Sequence, residues 1–96
     1  LRSSGSISVD HGAASVLLKQ GASLLPSGIV SLSGDFNSGD AVDILNPEGV
    51  RIARGLVGFD RQDLEKIIGL NSRRVKELLP ASNGGEAVHR DEMVLV

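Results

Sequence analysis

What most constrains this chain is how short its apolar stretches are. None keeps one period for more than about ten residues before Gly, Pro, Asp or Asn interrupts it. Ser6-Ile7-Ser8-Val9 alternates polar and apolar residues, as a half-buried strand does. Asp10 then stands where a helix cap belongs. In the segment from His11 to Gln20 that follows, Ala13, Val16, Leu17 and Gln20 keep helical spacing, and Gly21 supplies a stop. Beyond the Pro26-Ser27-Gly28 turn, Ile29, Val30 and Leu32 predict a second strand. Gly34-Asp35 and Gly39-Asp40 turn the chain on either side of Phe36. Ala41 to Leu45 predicts a third strand with Val42 and Ile44 on one face, and Asn46-Pro47-Glu48-Gly49 suits a type I turn. Val50 to Arg54 alternates again, and Gly55 in that strand predicts a bulge or a close backbone approach.

At Asp60 the period changes from strand to helix. Asp60 is placed to cap a helix whose stripe is Leu64, Ile67 and Ile68, ended by Gly69. Ser72 is placed to cap another, with Val75, Leu78 and Leu79 as its apolar face, ended by Pro80. Asn83-Gly84-Gly85 reads as a loop, and Ala87-Val88 and Met93 to Val96 read as two closing strands. Short strands with turns every roughly eight to twelve residues, joined by short helices, predict a small α+β, mainly β, barrel.

Composition narrows the function classes. The 96 residues favour one domain, and the absence of cysteine excludes disulfides and thiolate metal sites. No run of apolar residues is long enough to span a bilayer. A formal net charge of −2 argues against strong, indiscriminate nucleic-acid binding. The charge is uneven, however: residues 1–50 hold 2 basic and 5 acidic side chains, whereas residues 51–76 hold 7 basic and 3 acidic ones. That second segment predicts a locally basic face, although solvated helix surfaces carry such charges too.

In order and spacing, VDHGAASVLL, SLLPSGI, GDF with a following GD, GVRIARGL and AVHRDEMV resemble the C-terminal region of bacterial glutamate 5-kinases. The resemblance covers residues 7–96 and implies a PUA fold, a pseudo-barrel of about six short strands with a helix near the N-terminus and two short helices late in the chain. It implies a linker at residues 1–6 from an N-terminal amino-acid-kinase domain. It also implies a cytoplasmic, homo-oligomeric parent enzyme that phosphorylates the side-chain carboxylate of L-glutamate, the first step of proline synthesis. Mg-ATP would belong to that kinase domain, leaving no cofactor in residues 7–96. The implied partners are the kinase domain or a neighbouring subunit, with RNA as the alternative and no membrane. Two departures stand out: Pro80 to Gly84 lacks the tyrosines usual there, and Phe59 replaces a frequent Tyr.

Motifs for catalysis are incomplete. His89-Arg90-Asp91 matches the protein-kinase catalytic triplet, but the Gly-rich loop, strand Lys, downstream Asn and magnesium-binding Asp are missing. The triplet is therefore expected as a turn between the closing strands, with Arg90 paired to a carboxylate. There is no phosphate-binding P-loop, and His11 and His89 lack metal-ligand spacing. Asp35, Asp40 and Asp43 read as solvated turn and strand positions. The binding candidates are Lys19, Arg51, Arg54 and Arg90 for phosphates, with Ser23, Gly28 and Gly55 shaping a groove, as the resemblance to RNA-binding PUA domains suggests. Gly28 and Gly55 also have a plain structural reading as tight-turn and strand glycines. With two phenylalanines and no Tyr or Trp, base stacking would be poorly served.

Overall fold

The computed structural model describes residues 2–81 and 85–96. In chain order it contains β1 (Gly5–Val9), α1 (His11–Gln20), a 3-10 turn (Pro26–Gly28), β2 (Ile29–Gly34), β3 (Ala41–Leu45), β4 (Arg51–Val57), α2 (Arg61–Ile67), α3 (Ser72–Leu78) and β5 (Val88–Leu95). One mixed sheet runs in the order β2-β1-β3-β4-β5, with β1 parallel to β3 and every other pair antiparallel. The α+β, mainly β, class follows the sequence reading.

Local chemistry sets the elements. The Asp10 carboxylate accepts the Ala13 amide at 2.7 Å, and Gly21 ends α1 in the left-handed conformation at φ 61°. The buried face of α1 is Ala14 and Leu17, with Ala13 half-buried and Val16 exposed. This is a small rotation from the expected stripe, and it sets Ala13 against Gly28. A Cβ on Gly28 would lie 2.5 Å from the Ala13 Cβ, so the missing side chain lets the helix rest on the 3-10 turn.

The core draws on every element. Ile7, Leu17, Val42, Ile44, Val57, Leu64, Ile67, Val75 and Val88 are all essentially inaccessible, and among the described residues no polar or charged side chain is buried. β1 starts at Gly5, and the Ser4 amide donates to the Ala41 carbonyl at 2.8 Å, so part of the expected linker is bonded to the sheet.

Three further expectations change. Asn71, not Ser72, caps α3, accepting the Arg74 amide at 3.0 Å. Asp60 precedes α2 but its carboxylate takes the Ser38 amide at 2.8 Å instead of a helical one, tying the 35–40 loop to the helix. The two closing strands are one, β5. Val88 pairs with Val57 and Met93 with Gly55, so His89 to Glu92 bulge out opposite Leu56. The His-Arg-Asp triplet is this bulge. A Cβ on Gly55 would lie 2.5 Å from Val88 Cγ1 and 2.9 Å from the Glu92 carbonyl, so the bulge folds down where only glycine leaves room. The Asn83-Gly84 part of the expected loop lies outside the described residues.

Candidate functional site

The candidate residues fall into two groups. The first surrounds a cleft of about 300 Å³ between α1 and the segment leading to β2, lined by Asp10, Val16, Ser23, Leu25 and Gly28 among others. Ser23 stands at its end, where its hydroxyl oxygen accepts the Arg90 amide at 2.9 Å. Beyond that bond lies a second hollow with Ala22, Glu86, His89, Arg90 and Asp91. Arg90 therefore reaches the cleft through its backbone, while its side chain is exposed, 4.0 Å from Asp91. His89 lies 3.8 Å from Glu86 and 3.6 Å from Asp91. Arg90 thus shares its hollow with two carboxylates.

The second group is on β3 and β4. Ile44 pairs with Ala53 and Leu45 with Arg51, which leaves Ile52 as an extra residue. Ile52 and Ala53 are in consequence both buried, and Arg51 and Arg54 come out on one face. Both reach Asp43: Arg54 Nε at 2.8 Å and Arg51 Nη1 at 3.7 Å. Burial opposes ionisation of Asp43. The hydrogen bonds from Arg54 and Ser3 and the charges of Arg54 and Arg51 outweigh it and hold the carboxyl below its usual range. Gly55 follows on the same strand, turned toward the β5 bulge. Lys19 is exposed in the last turn of α1.

Elsewhere in the basic segment, Arg61, Lys66, Arg73 and Arg74 are matched on their own helices. Arg61 pairs with Glu65, Lys66 with Asp63, and Arg73 and Arg74 with Glu77. The sequence reading missed Asp43 as the anchor, because an unbroken register from the Leu45–Arg51 pair would have set it opposite Ala53, not Arg54. Phe36 and Phe59 are 2% and 8% exposed, so neither ring is offered to a base. Among the described residues no group of His, Asp or Glu is arranged to hold a metal ion, and no helix is long and apolar enough to cross a membrane.

The helix after the first strand, its glycine-backed cleft, the mixed sheet and the late helix pair define a PUA domain. The chain belongs to that family, which it matches over residues 5–79. Over 96 residues it is 43% identical to the glutamate 5-kinase of Syntrophus aciditrophicus and 44% identical to that of Citrifermentans bemidjiense. It is covered completely in both comparisons but spans only 25% and 26% of those relatives. The resemblance drawn from its motifs therefore holds along its whole length. Among solved structures, a PUA domain from Aeropyrum pernix K1 in a tartrate complex superposes with a TM-score of 0.68 at 32% identity, covering 91% of this chain and 41% of that one. A chain of an archaeal box H/ACA sRNP superposes with a TM-score of 0.58 at 27% identity, covering 62% of this chain and 19% of that one.

Proposed function

We propose that this chain is the non-catalytic PUA module of a glutamate 5-kinase polypeptide, and that it docks on the kinase domain of its own or a neighbouring subunit. In this reading the parent is a cytoplasmic homo-oligomer that transfers phosphate from Mg-ATP to the L-glutamate side chain, and the module holds neither nucleotide nor amino acid. The observation that carries docking over RNA binding is the convergence of Arg51 and Arg54 on Asp43. Two cations already held by a carboxylate suit a geometrically fixed protein contact better than a run of phosphates. The buried phenylalanines point the same way.

RNA binding remains the second reading, because Ser23 joins the glycine-backed cleft to the Arg90 hollow and a box H/ACA sRNP chain shares the fold. Four phosphates met by Lys19, Arg51, Arg54 and Arg90 would give a log–log salt slope of about −2.8. The test titrates single-stranded and structured RNA into the chain at low salt and assays Arg51→Glu in the full-length enzyme. Docking predicts no RNA binding, and altered assembly or kinase activity in the variant. Sub-micromolar RNA binding that Arg51→Glu abolishes would overturn it.

A further inference from the structure

The two edges of the sheet are unlike. β2 presents Ser31, Ser33 and Gly34 with one well-exposed valine, Val30, and Arg61 donates to its terminal Gly34 carbonyl. β5 is covered along its first half, where Leu24 and Val88 exchange backbone hydrogen bonds and Ser23 takes the Arg90 amide. From Met93 onward no strand lies beyond it among the described residues. Val94, Leu95 and Val96 are 72%, 45% and 70% exposed there. Within that stretch there is no charged side chain, no proline and no bulge to keep the edge from pairing.

The hydrogen-bond phase shows which backbone groups are free. The Val96 amide donates to the Ile52 carbonyl at 3.0 Å, and Val94 stands opposite Arg54. In an antiparallel ladder with that phase, Val94 and Val96 turn their polar groups toward β4, and Met93 and Leu95 turn theirs outward.

We infer that this edge is an interface for a second copy of the chain, β5 against β5, about a two-fold axis normal to the sheet and midway between the two Val94 residues. That axis pairs Met93 of each copy with Leu95 of the other, so the free backbone groups satisfy one another. It sets Val94 against Val94 at a non-hydrogen-bonded position, where facing side chains come closest. Residues of equal parity meet, so the outer face of one sheet continues into the outer face of the other. Charge fits the antiparallel sense as well. Asp91 and Glu92 lie at one end of the exposed stretch, and Arg51 lies beside its other end, so the two-fold brings the acidic end of each copy toward the basic end of its partner. A few residues a side bury far less than the roughly 1,600 Å² of a standard interface, so the dimer is weak, with Kd on the order of 100 μM. None of this depends on kinase docking, since any solution of this chain contains the partner.

The absence of native cysteine makes the test clean. Val94→Cys places two thiols across a pair whose Cα separation, about 4.5 Å, a disulfide can span. Val30→Cys, on the other edge, is the control. Under mild oxidation the first should be trapped as a covalent dimer and the second should not. Sedimentation of the unaltered chain should show dimer growing with concentration. Val94→Lys, which sets two cations face to face, should leave monomer with its circular dichroism unchanged. Equal cross-linking of the two cysteine variants, trapping through Val30 alone, or a chain still monomeric at about 1 mM, ten times the expected Kd, overturns the inference.

Discussion

Asp43 determines how much of the basic face is free to act. Its side chain is 21% exposed and takes Arg54 at 2.8 Å and Arg51 at 3.7 Å. Composition alone makes it look like Asp35 and Asp40, and Asp40 is indeed a turn residue whose carboxylate accepts the Asn37 amide. Asp43 differs in lying on a strand, but only the extra residue in β4 sets it opposite Arg54, and no periodicity in Val50 to Arg54 reports that residue. Asp43 is held below the ordinary carboxylate range against the opposing effect of burial, by Arg54 first and then by Ser3 and the Arg51 charge. A carboxyl whose folded pKa is depressed contributes stability that is fully present above its unfolded value, about 3.9, and is lost as pH falls through the folded value. Asp43→Asn should therefore cost about 1 kcal/mol at pH 7, a modest figure because both arginines are partly solvated, and should flatten the acid decline below about pH 4. Urea midpoints at neutral pH and at pH 3 measure both effects. A variant that loses stability in parallel with the parent down to low pH would remove the ion pairs as the cause.

At the scale of elements, turns and helix stops were legible because single residues dictate them. Gly21 closes α1, Gly49 at φ 80° completes the Asn46 turn, and Gly55 lies where β5 approaches closely, the second of the two roles expected for it. β5 was not legible as one strand, since His89-Arg90-Asp91-Glu92 breaks the alternation. Those residues oppose Leu56 alone and their side chains face solvent, so no core demands that they alternate. The start of α3 was ambiguous for a different reason: Asn71 and Ser72 are both capping types, and the spacing of Val75, Leu78 and Leu79 cannot separate neighbours. Asn71 holds the Arg74 amide. Asn71→Ala should thus cost about 1 kcal/mol in urea denaturation, while Ser72→Ala should cost a few tenths at most. Equal losses would return the cap to Ser72.

For the whole molecule, alternation reveals which residues face inward but not which strands are neighbours. Nothing in the sequence pattern placed β1 between β2 and β3, parallel to one and antiparallel to the other. The ordered motifs pointed to the PUA fold, through family resemblance rather than periodicity, and the strand order itself is legible only in the structure. The resulting core is continuous. Ile7, Leu17, Ile29, Ile44, Val57, Leu64, Val75 and Val88, one from each strand and helix, belong to a single buried cluster. The Cα radius of gyration is 11.8 Å, close to the ~12.5 Å expected of a folded domain of this length. The late helices are the test of unity, because α2 and α3 lie outside the sheet and are short, about two turns each, too short to persist without tertiary support. Leu64, Ile67 and Val75 provide that support, each almost inaccessible within the shared cluster. The helices should therefore melt with the sheet in one transition, without any metal or disulfide. With no Trp or Tyr to report, far-UV circular dichroism and resolved methyl NMR signals of Ile44 and Val75 are the suitable probes. The three curves should superimpose across a urea titration. A Val75 signal lost at lower urea than Ile44 would make the helix pair a separate cooperative unit.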